Sequence, residues 1–390
     1  MRGEEQSMDA HLQSIRDGVQ AVCNRFSDDY WLARDSDGVF PHDFHAALAE
    51  TGWLGLTMPE AYGGANLGVS EAAVMMHTIA KTGAMSAASA IHINMFGPHP
   101  IVVYGTDEQK AKWIPSLVKG EHRVSFGVTE PNAGLDTTSI TTFAEKVDGG
   151  WIVNGRKIWN STAQVADRIM LLARTQKRED VTRKTDGISL FYTKFDRSKI
   201  EVKRIDKMGR KAVDSNMIFF DNLFIPEGDL LGEEGRGFYQ ILDAMNPERI
   251  LIGAEAVGIG QDALRRASGY ALEREVFGRP IGQNQGIQHP LAENWMELEA
   301  AWLTAMRAAE LYDSGQPCGA EANAAKFLGA RAGYNAALQA VLTHGGMGYA
   351  KEYHVERLLR EVLITRIAPV SEQMIASFIG ERVLGLPKSY

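Results

Sequence analysis

The sequence has little cysteine and no excess of positive charge, and both shortages narrow the class of protein. Only two cysteines, Cys23 and Cys318, occur among 390 residues, which is too few for the disulfide framework of a small secreted domain and suits a reducing compartment. Asp and Glu outnumber Lys and Arg by 49 to 41, so the net charge is −8. Proteins dedicated to nucleic acids need clustered cations, so we expect no nucleic-acid partner.

Long apolar runs are also missing. The longest stretch without Asp, Glu, Lys or Arg covers residues 82–106, and histidines, Asn94 and two prolines interrupt it. A membrane span needs about 20 predominantly apolar residues, so this stretch predicts a buried helix and its exit turn, with no membrane span. Residues 1–11 are acidic and polar, unlike a secretory signal or a transit peptide, and we expect a cytoplasmic protein.

The common motifs of metal and hydrolytic sites are absent as well. The ten histidines show no HxxxH or HExxH spacing, and neither cysteine has a second one nearby, so the sequence predicts no zinc or iron site. It contains no GxSxG elbow and no Walker loop. The sequence therefore lacks these motifs, which usually mark hydrolases and phosphoryl-transfer enzymes.

One dinucleotide-binding pattern is present but lies in the wrong context. Residues 258–263 match GxGxxA, which binds a dinucleotide only where a strand precedes it and a helix follows. Here the pattern falls inside a helical stretch. We interpret its glycines as small residues that allow close helix packing.

Glycine is abundant, at 39 of 390 residues, and it helps to divide the chain into three parts. Helical patterns fill residues 1–121, with a helix stop and a new helix cap predicted at 104–110. Short Val-, Ile- and Phe-rich runs alternate with turns over 122–234, where Gly149-Gly150 predicts a hairpin, and helical patterns return over 235–390. This order predicts an α+β fold of three domains whose middle domain is a compact sheet, barrel or sandwich of about six to eight strands.

Two segments of the middle part have the composition of a ligand site. FGVTEPNAG (126–134) leaves a strand for a loop that can offer backbone N–H groups and hydroxyls to a pyrophosphate or a ring edge. Trp159-Asn160-Ser161 places an aromatic ring and a hydroxyl at the end of the next hairpin. An ordinary strand-to-turn transition and a half-buried strand end are the plain alternatives.

Seven motifs together resemble a known family. They are PEAYGG (59–64), YGTDEQKAKWIPSLVKGE (104–121), FGVTEPNAG (126–134), NGRKIWNS (154–161), FIPEGDLLGEEGRGF (224–238), EREVFGRPIGQNQ (273–285) and HGGMGY (344–349). In this order and at these spacings they resemble the acyl-CoA dehydrogenase family over nearly the whole chain. The resemblance implies a helical N-terminal domain, a middle β-domain, a C-terminal four-helix bundle, an FAD cofactor and α,β-dehydrogenation of an acyl-CoA.

The resemblance also indicates which carboxylate acts as the base. Many members carry a Glu where this chain has Pro369, which can neither accept a proton nor donate a backbone N–H. A subset resembling isovaleryl- and long-chain-type enzymes carries the base before an Arg on a helix, which corresponds to Glu248 in Asn246-Pro247-Glu248-Arg249. The alternative for Glu248 is a structural carboxylate in the first turn of a helix.

Other site residues follow from the same resemblance. The flavin would be contacted by Phe126, Val128, Thr129, Gly134, Leu135, Trp159, Ser161 and Ser371, with the Ser161 hydroxyl near flavin N5. The FAD of a neighbouring subunit would be reached by Arg274, Phe277, Gln285 and Gly346. The acyl-CoA would be bound by Asn246, Arg249, Leu135, Ala368 and Pro369, and Ala368 would widen the pocket for bulky or branched acyl groups.

The implied partners are an acyl-CoA substrate, an electron-transfer flavoprotein and three further copies in a homotetramer. Leu135 and Leu342 stand where polar cofactor contacts are usual, and Asn160 replaces an apolar residue. These departures leave other interpretations open: an oxidase or monooxygenase of the same fold, an acyl-CoA-binding subunit without activity, or a chain that works in a hetero-oligomer.

Overall fold

The N-terminal part is helical. A computed structural model describes residues 2–388, and side chains from residue 10 onward. Six helices precede the first strand in this part of the chain: α1 (Arg2–Cys23), α2 (Asp28–Asp37), α3 (His42–Glu50), α4 (Val69–Phe96), α5 (His99–Tyr104) and α6 (Asp107–Val118). The predicted cap at α6 is confirmed, because Thr106 Oγ1 accepts from the Gln109 amide at 3.2 Å and the Gln109 side chain accepts from the Thr106 amide at 3.0 Å.

The long helix α4 carries the stretch without charges and is buried over most of its length. It bends at Ala84, whose φ is 55°. The bend frees backbone groups that need partners, and the Ser86 amide and hydroxyl donate to the carboxylate of Glu361 at 2.8 and 2.5 Å. The predicted buried helix is confirmed, and the bend is fixed by a residue far along the chain.

The middle part is a mixed sheet of eight strands. They are β1 (Val124–Gly127), β2 (Phe143–Val147), β3 (Gly150–Ser161), β4 (Arg168–Arg174), β5 (Ile188–Lys194), β6 (Ile200–Arg204), β7 (Ser215–Pro226) and β8 (Leu230–Leu231). The order is β6-β7-β3-β2-β4-β5-β8, with β1 pairing parallel to β4. The hairpin at Gly149-Gly150 is confirmed, since Val147 pairs with Gly150 and Gly149 has a φ of 74°.

The C-terminal part is again helical. Its elements are α7 (Gly237–Asp243), α8 (Met245–Glu273), the short hairpin strands β9 (Glu275–Val276) and β10 (Arg279–Pro280), α9 (Gln285–Asp313), α10 (Gly319–His344), α11 (Val355–Val362), α12 (Ile364–Ile367) and α13 (Glu372–Phe378). The three-part α+β architecture predicted from the sequence is therefore confirmed.

Glycines let the long helices approach one another closely. A Cβ on Gly258 would lie 2.4 Å from the His77 carbonyl oxygen of α4, and one on Gly260 would lie 2.8 Å from Gly333 Cα of α10. Gly329 of α10 likewise meets the Gly253 backbone of α8. The GxGxxA match thus lies inside α8 and serves helix packing, as its sequence context indicated.

Residues 355–383 are long and apolar enough to cross a membrane by length and composition alone. In the structure this segment is not one continuous helix, because α12 ends at Ile367, Ala368 is extended and α13 begins at Glu372. It also buries the charged side chains of Arg357 and Glu361. A spanning helix must satisfy every backbone group within itself, so we interpret the segment as short helices of a folded domain.

Candidate active site

Glu248 lies in the first turn of α8, just after a bend at Ala244 that separates this helix from α7. Glu248 is only 8% exposed. Its Oε2 has no hydrogen-bond partner among the described residues. Burial raises the pKa of this carboxyl to about 7, against the opposing effect of His92, Arg249 and Lys326. An unpartnered carboxylate with this proton affinity can act as a base near neutral pH.

A buried ion pair lies beside Glu248. His92 Nδ1 of α4 lies 2.5 Å from Glu255 Oε1, and both side chains are buried. Glu255 follows Glu248 by two helical turns and so shares its face of α8. Burial opposes a charged imidazole, but the Glu255 carboxylate raises the pKa of His92 above its usual 6.5. We therefore describe the pair as imidazolium and carboxylate.

Aromatic contacts connect this pair to the sheet. The ring of Phe96 lies 4.7 Å from the ring of His92 and 5.2 Å from that of Phe126 in β1, measured between centroids. Phe96 therefore links the His92–Glu255 pair to Phe126, the first predicted flavin residue.

The segment around Pro369 is fixed by a buried lysine. Lys326 of α10 donates to the Val370 carbonyl oxygen at 2.6 Å, and Ser371 Oγ accepts from the Met374 amide to cap α13. Burial lowers the pKa of Lys326 to about 8, while Glu372 and the more distant Glu248 act to raise it. Lys326 thus holds the chain next to the predicted substrate residues Ala368 and Pro369, and its charge also lowers the pKa of the predicted base Glu248.

Asn246 and Arg249 lie together at the start of α8. Arg249 Nη1 donates to Asn246 Oδ1 at 3.0 Å, and Arg249 Nε has no acceptor among the described residues. A guanidinium with a free donor at this position suits a phosphate or a carbonyl group of a ligand.

The loop that follows β1 is braced by a second buried pair. Lys157 Nζ donates to Glu130 Oε1 and to the Val128 carbonyl oxygen, both at 2.9 Å. Burial would raise the pKa of Glu130, but Lys157 and hydrogen bonds from Thr141 and Thr142 outweigh it and lower the pKa to about 2. The backbone of 126–130 is thus held rigidly, whereas Gly134 and Leu135 farther along are exposed.

The end of β3 presents a ring and a hydroxyl. Pairing with β7 shifts register between Ile158 and Asn160, and Trp159 there has a φ of 62° and is 56% exposed. Asn160 Nδ2 donates to the Phe126 carbonyl oxygen at 2.8 Å, which ties this strand end to β1. This bond holds the backbone of β1 next to the strand end that carries the exposed indole and the Ser161 hydroxyl, all of which the sequence predicts to contact the flavin.

The remaining predicted residues lie at the opposite end of α8. The helix rises by about 1.5 Å per residue, so Arg274 lies roughly 39 Å from Glu248 along it. Phe277, at the tip of the β9–β10 hairpin, is 100% exposed, and Gln285 and Gly346 begin α9 and follow α10. One chain does not bring this group to the Glu248 pocket, in keeping with a role toward a neighbouring subunit.

Sequence reasoning missed several residues of the site. The charges of His92, Glu255 and Lys326 affect the pKa of Glu248, and Arg210 contacts Ser161. Two features of the sequence could have indicated these residues. One is the presence of polar residues such as His92 inside the uncharged stretch, and the other is the seven-residue spacing from Glu248 to Glu255. Lys326 and Arg210 gave no such signal. Within residues 2–388, no group of three or more His, Cys, Asp or Glu side chains is placed to hold a metal ion.

Comparisons with known proteins agree with this arrangement. Three family models match the chain: acyl-CoA dehydrogenase N-terminal domain over residues 9–121, middle domain over 125–223 and C-terminal domain over 235–384. The acyl-CoA dehydrogenase FadE12 of Mycobacterium tuberculosis is 33% identical, and the match covers 97% of each chain.

Solved structures are similar over the same extent. Butyryl-CoA dehydrogenase of Megasphaera elsdenii superposes with a TM-score of 0.91 at 29% identity, covering 96% of this chain and 98% of the other. PigA in complex with FAD and proline gives a TM-score of 0.90 at 26% identity, covering 96% and 98%. The chain therefore belongs to the acyl-CoA dehydrogenase family and is an FAD-binding oxidoreductase that acts on acyl-CoA.

Proposed function

We propose that this enzyme removes two hydrogens across the α–β bond of an acyl-CoA, with Glu248 as the base that takes the α-proton. The observation that carries the proposal is the buried Glu248 carboxyl, which has an unpartnered oxygen and a raised pKa. Bound FAD supplies the acceptor for the hydride that leaves the β-carbon. The α-proton passes to Glu248, and the electron pair of that C–H bond becomes the new double bond.

The other residues of the pocket serve binding and charge balance. Arg249 and Asn246 lie one helical turn or less from Glu248, where they can hold the CoA arm. His92 and Lys326 place positive charge near Glu248, which favours its deprotonated form before the reaction. Pro369 has no N–H for the thioester oxygen, so that oxygen must be held by other donors.

Replacement of the base tests the proposal. In Glu248→Gln, FAD should still bind, but anaerobic flavin bleaching by a good acyl-CoA should slow about 10²–10⁴-fold, the usual contribution of a positioned base. Glu273→Gln changes an exposed carboxylate at the other end of the same helix and should bleach at the wild-type rate. Near-normal bleaching of Glu248→Gln would rule out Glu248 as the base.

A second candidate function, an oxidase or monooxygenase of the same fold, is favoured by one observation. Pro369 offers no N–H to hold a thioester oxygen, so the chain lacks one contact expected of a dehydrogenase. Rapid oxygen consumption by the reduced enzyme would support this candidate. Slow oxidation by oxygen with fast oxidation by an electron-transfer flavoprotein would support the dehydrogenase.

The acyl group and the assembly are further parts of the proposal. Half-buried Ala368, a small residue at a predicted substrate position, suits branched or bulky acyl chains, and a panel of short, long, branched and aromatic acyl-CoAs tests this directly. We also propose a homotetramer, since α9 exposes Trp295, Met296 and Leu303, and apolar surface of this kind marks interfaces. The two free, buried cysteines suit a cytoplasmic enzyme.

A further inference from the structure

Arg210 makes an unusual set of contacts next to the proposed flavin surface. It lies between β6 and β7, at a φ of 56°. Its Nη2 donates to Ser161 Oγ at 3.0 Å and to Ser215 Oγ at 3.1 Å, and its Nη1 donates to Ser89 Oγ at 3.3 Å. One guanidinium therefore connects α4, the end of β3 and the start of β7 through three hydroxyls.

The contact with Ser161 determines what that hydroxyl can still do. A guanidinium only donates hydrogen bonds, whereas a hydroxyl has one hydrogen and two lone pairs. Ser161 Oγ must therefore accept from Arg210, which leaves its hydrogen available. No acceptor for that hydrogen is found among the described residues, although the Ser161 carbonyl oxygen is fixed by Ser125 Oγ at 2.9 Å. The hydroxyl is thus set to donate to a group outside the protein fold.

The charge on Arg210 is not neutralised by direct contact. Burial lowers its pKa while Asp214 of its own connection, Glu361 of α11 and Glu255 of α8 act to raise it. None of these carboxylates forms an ion pair with Arg210 within the described part of the chain. Arginine stays protonated in proteins, so a buried cation lies behind Ser161 with neutral hydroxyls as its hydrogen-bond partners.

We propose that Arg210 is a positioning residue that orients and polarises the Ser161 hydroxyl toward the hydride-accepting nitrogen of the flavin and thereby favours the reduced flavin. This rests on the proposed function, which places Ser161 beside that nitrogen. Hydrogen bonds with a charged partner are stronger and shorter than neutral ones, and they strengthen the next bond in a chain. The charge of Arg210 acts through this hydroxyl, whose strengthened hydrogen bond stabilises the electron-rich reduced flavin over the oxidised one.

The test measures the flavin's midpoint potential in the FAD-bound enzyme by equilibration with a reference dye and without any acyl-CoA. In Arg210→Met the ratio of reduced to oxidised flavin, at a fixed dye ratio, should fall about tenfold or more, since charged hydrogen bonds contribute about 1.5–3 kcal/mol. In Ser161→Ala the ratio of reduced to oxidised flavin should also fall. Arg204→Met is the matched control, because Arg204 ends β6 and is exposed, and its ratio should stay at the wild-type value.

The double variant separates action through Ser161 from direct action. Arg210→Met with Ser161→Ala should shift the ratio no further than Ser161→Ala alone, whereas additive shifts would overturn the role assigned to Ser161. Arg210→Lys keeps the charge without the forked donor and serves if Arg210→Met does not fold, with an intermediate shift expected. A wild-type ratio in either Arg210 variant would overturn the proposal.

Failure of the proposed function is distinguishable from failure of this inference. If acyl-CoA does not bleach the flavin but the dye titration shows the Arg210 shift, the dehydrogenase proposal fails and the role of Arg210 stands. If acyl-CoA bleaches the flavin and the potential is unchanged in Arg210→Met, the dehydrogenase proposal stands and the role of Arg210 fails.

Discussion

The two ends of α8 differ in how complete they are within one chain. At its N-terminal end Glu248 is buried, and the charges of His92 of α4, Glu255 of α8 and Lys326 of α10 act on it. At its C-terminal end the hairpin carrying Phe277 extends into solvent, with Arg274 and Tyr349 also exposed. A single subunit buries the proposed base, whereas the other end exposes apolar surface of the kind that marks interfaces.

Burial explains the difference in chemistry as well. Ionisable groups taken out of water must be paired or change their protonation, so the first end holds a paired imidazolium and a carboxyl with a raised pKa. The altered proton affinities of His92 and Glu248 therefore follow from their burial.

The largest effect should come from breaking the ion pair at the enclosed end. His92→Gln leaves the Glu255 carboxylate buried without its partner, and we expect a loss of about 3–5 kcal/mol in the free energy of unfolding. Urea denaturation at neutral pH measures it. The double variant with Glu255→Gln removes both charges and should recover much of the loss; a double variant no more stable than His92→Gln would contradict the pairing.

Ionisation of Glu248, the proposed base, should lower the free energy of unfolding. The folded pKa of Glu248 is raised from 4.5 to about 7, so folding disfavours its ionised form. The stability that protonated Glu248 permits is fully present below pH 4.5 and is lost as the pH rises to 7. Glu248→Gln should therefore be about 3 kcal/mol more stable than wild type at pH 8. The gain should vanish near pH 4.5, and an equal gain at both pH values would contradict the ionisation argument.

The same carboxyl predicts how the rate depends on pH. Because the base must be deprotonated and its pKa is about 7, kcat/KM for flavin reduction should fall about tenfold from pH 8 to pH 6. Stopped-flow bleaching with one acyl-CoA over this range measures it. A flat profile would show that Glu248 does not titrate there in the free enzyme.

The smallest effect on the stability of the subunit should come from a substitution near the exposed C-terminal end of α8. Phe277→Ala should change the free energy of unfolding by less than about 0.5 kcal/mol, as surface substitutions usually do. If the hairpin contacts a neighbour's cofactor, the variant should still retain FAD less well in gel filtration. Val39→Ala, at another exposed apolar site, should leave retention unchanged; equal behaviour of the two variants would remove the role of Phe277.

Local patterns explain which parts of the fold were predictable. The Gly149-Gly150 hairpin, the cap at Thr106 and the helical context of Gly258 depend on neighbours in sequence, and each prediction was confirmed. The strands β6 and β8 were not predicted, because most residues of β6 (IEVKR) are charged and β8 has only two residues. The break at Ala244 was also missed, since a helical pattern runs across it in the sequence.

The sequence by itself determined the order of helices and strands, the family motifs and the placement of Glu248 in the first turn of a helix. It also excluded Pro369 as a base, because proline has no group that accepts a proton there. The tertiary structure decided that Glu248 is buried, that His92 and Lys326 act on it, and that Arg210 lies behind Ser161. Proton affinity depends on burial and on nearby charges, and here these come from helices that lie far apart along the chain.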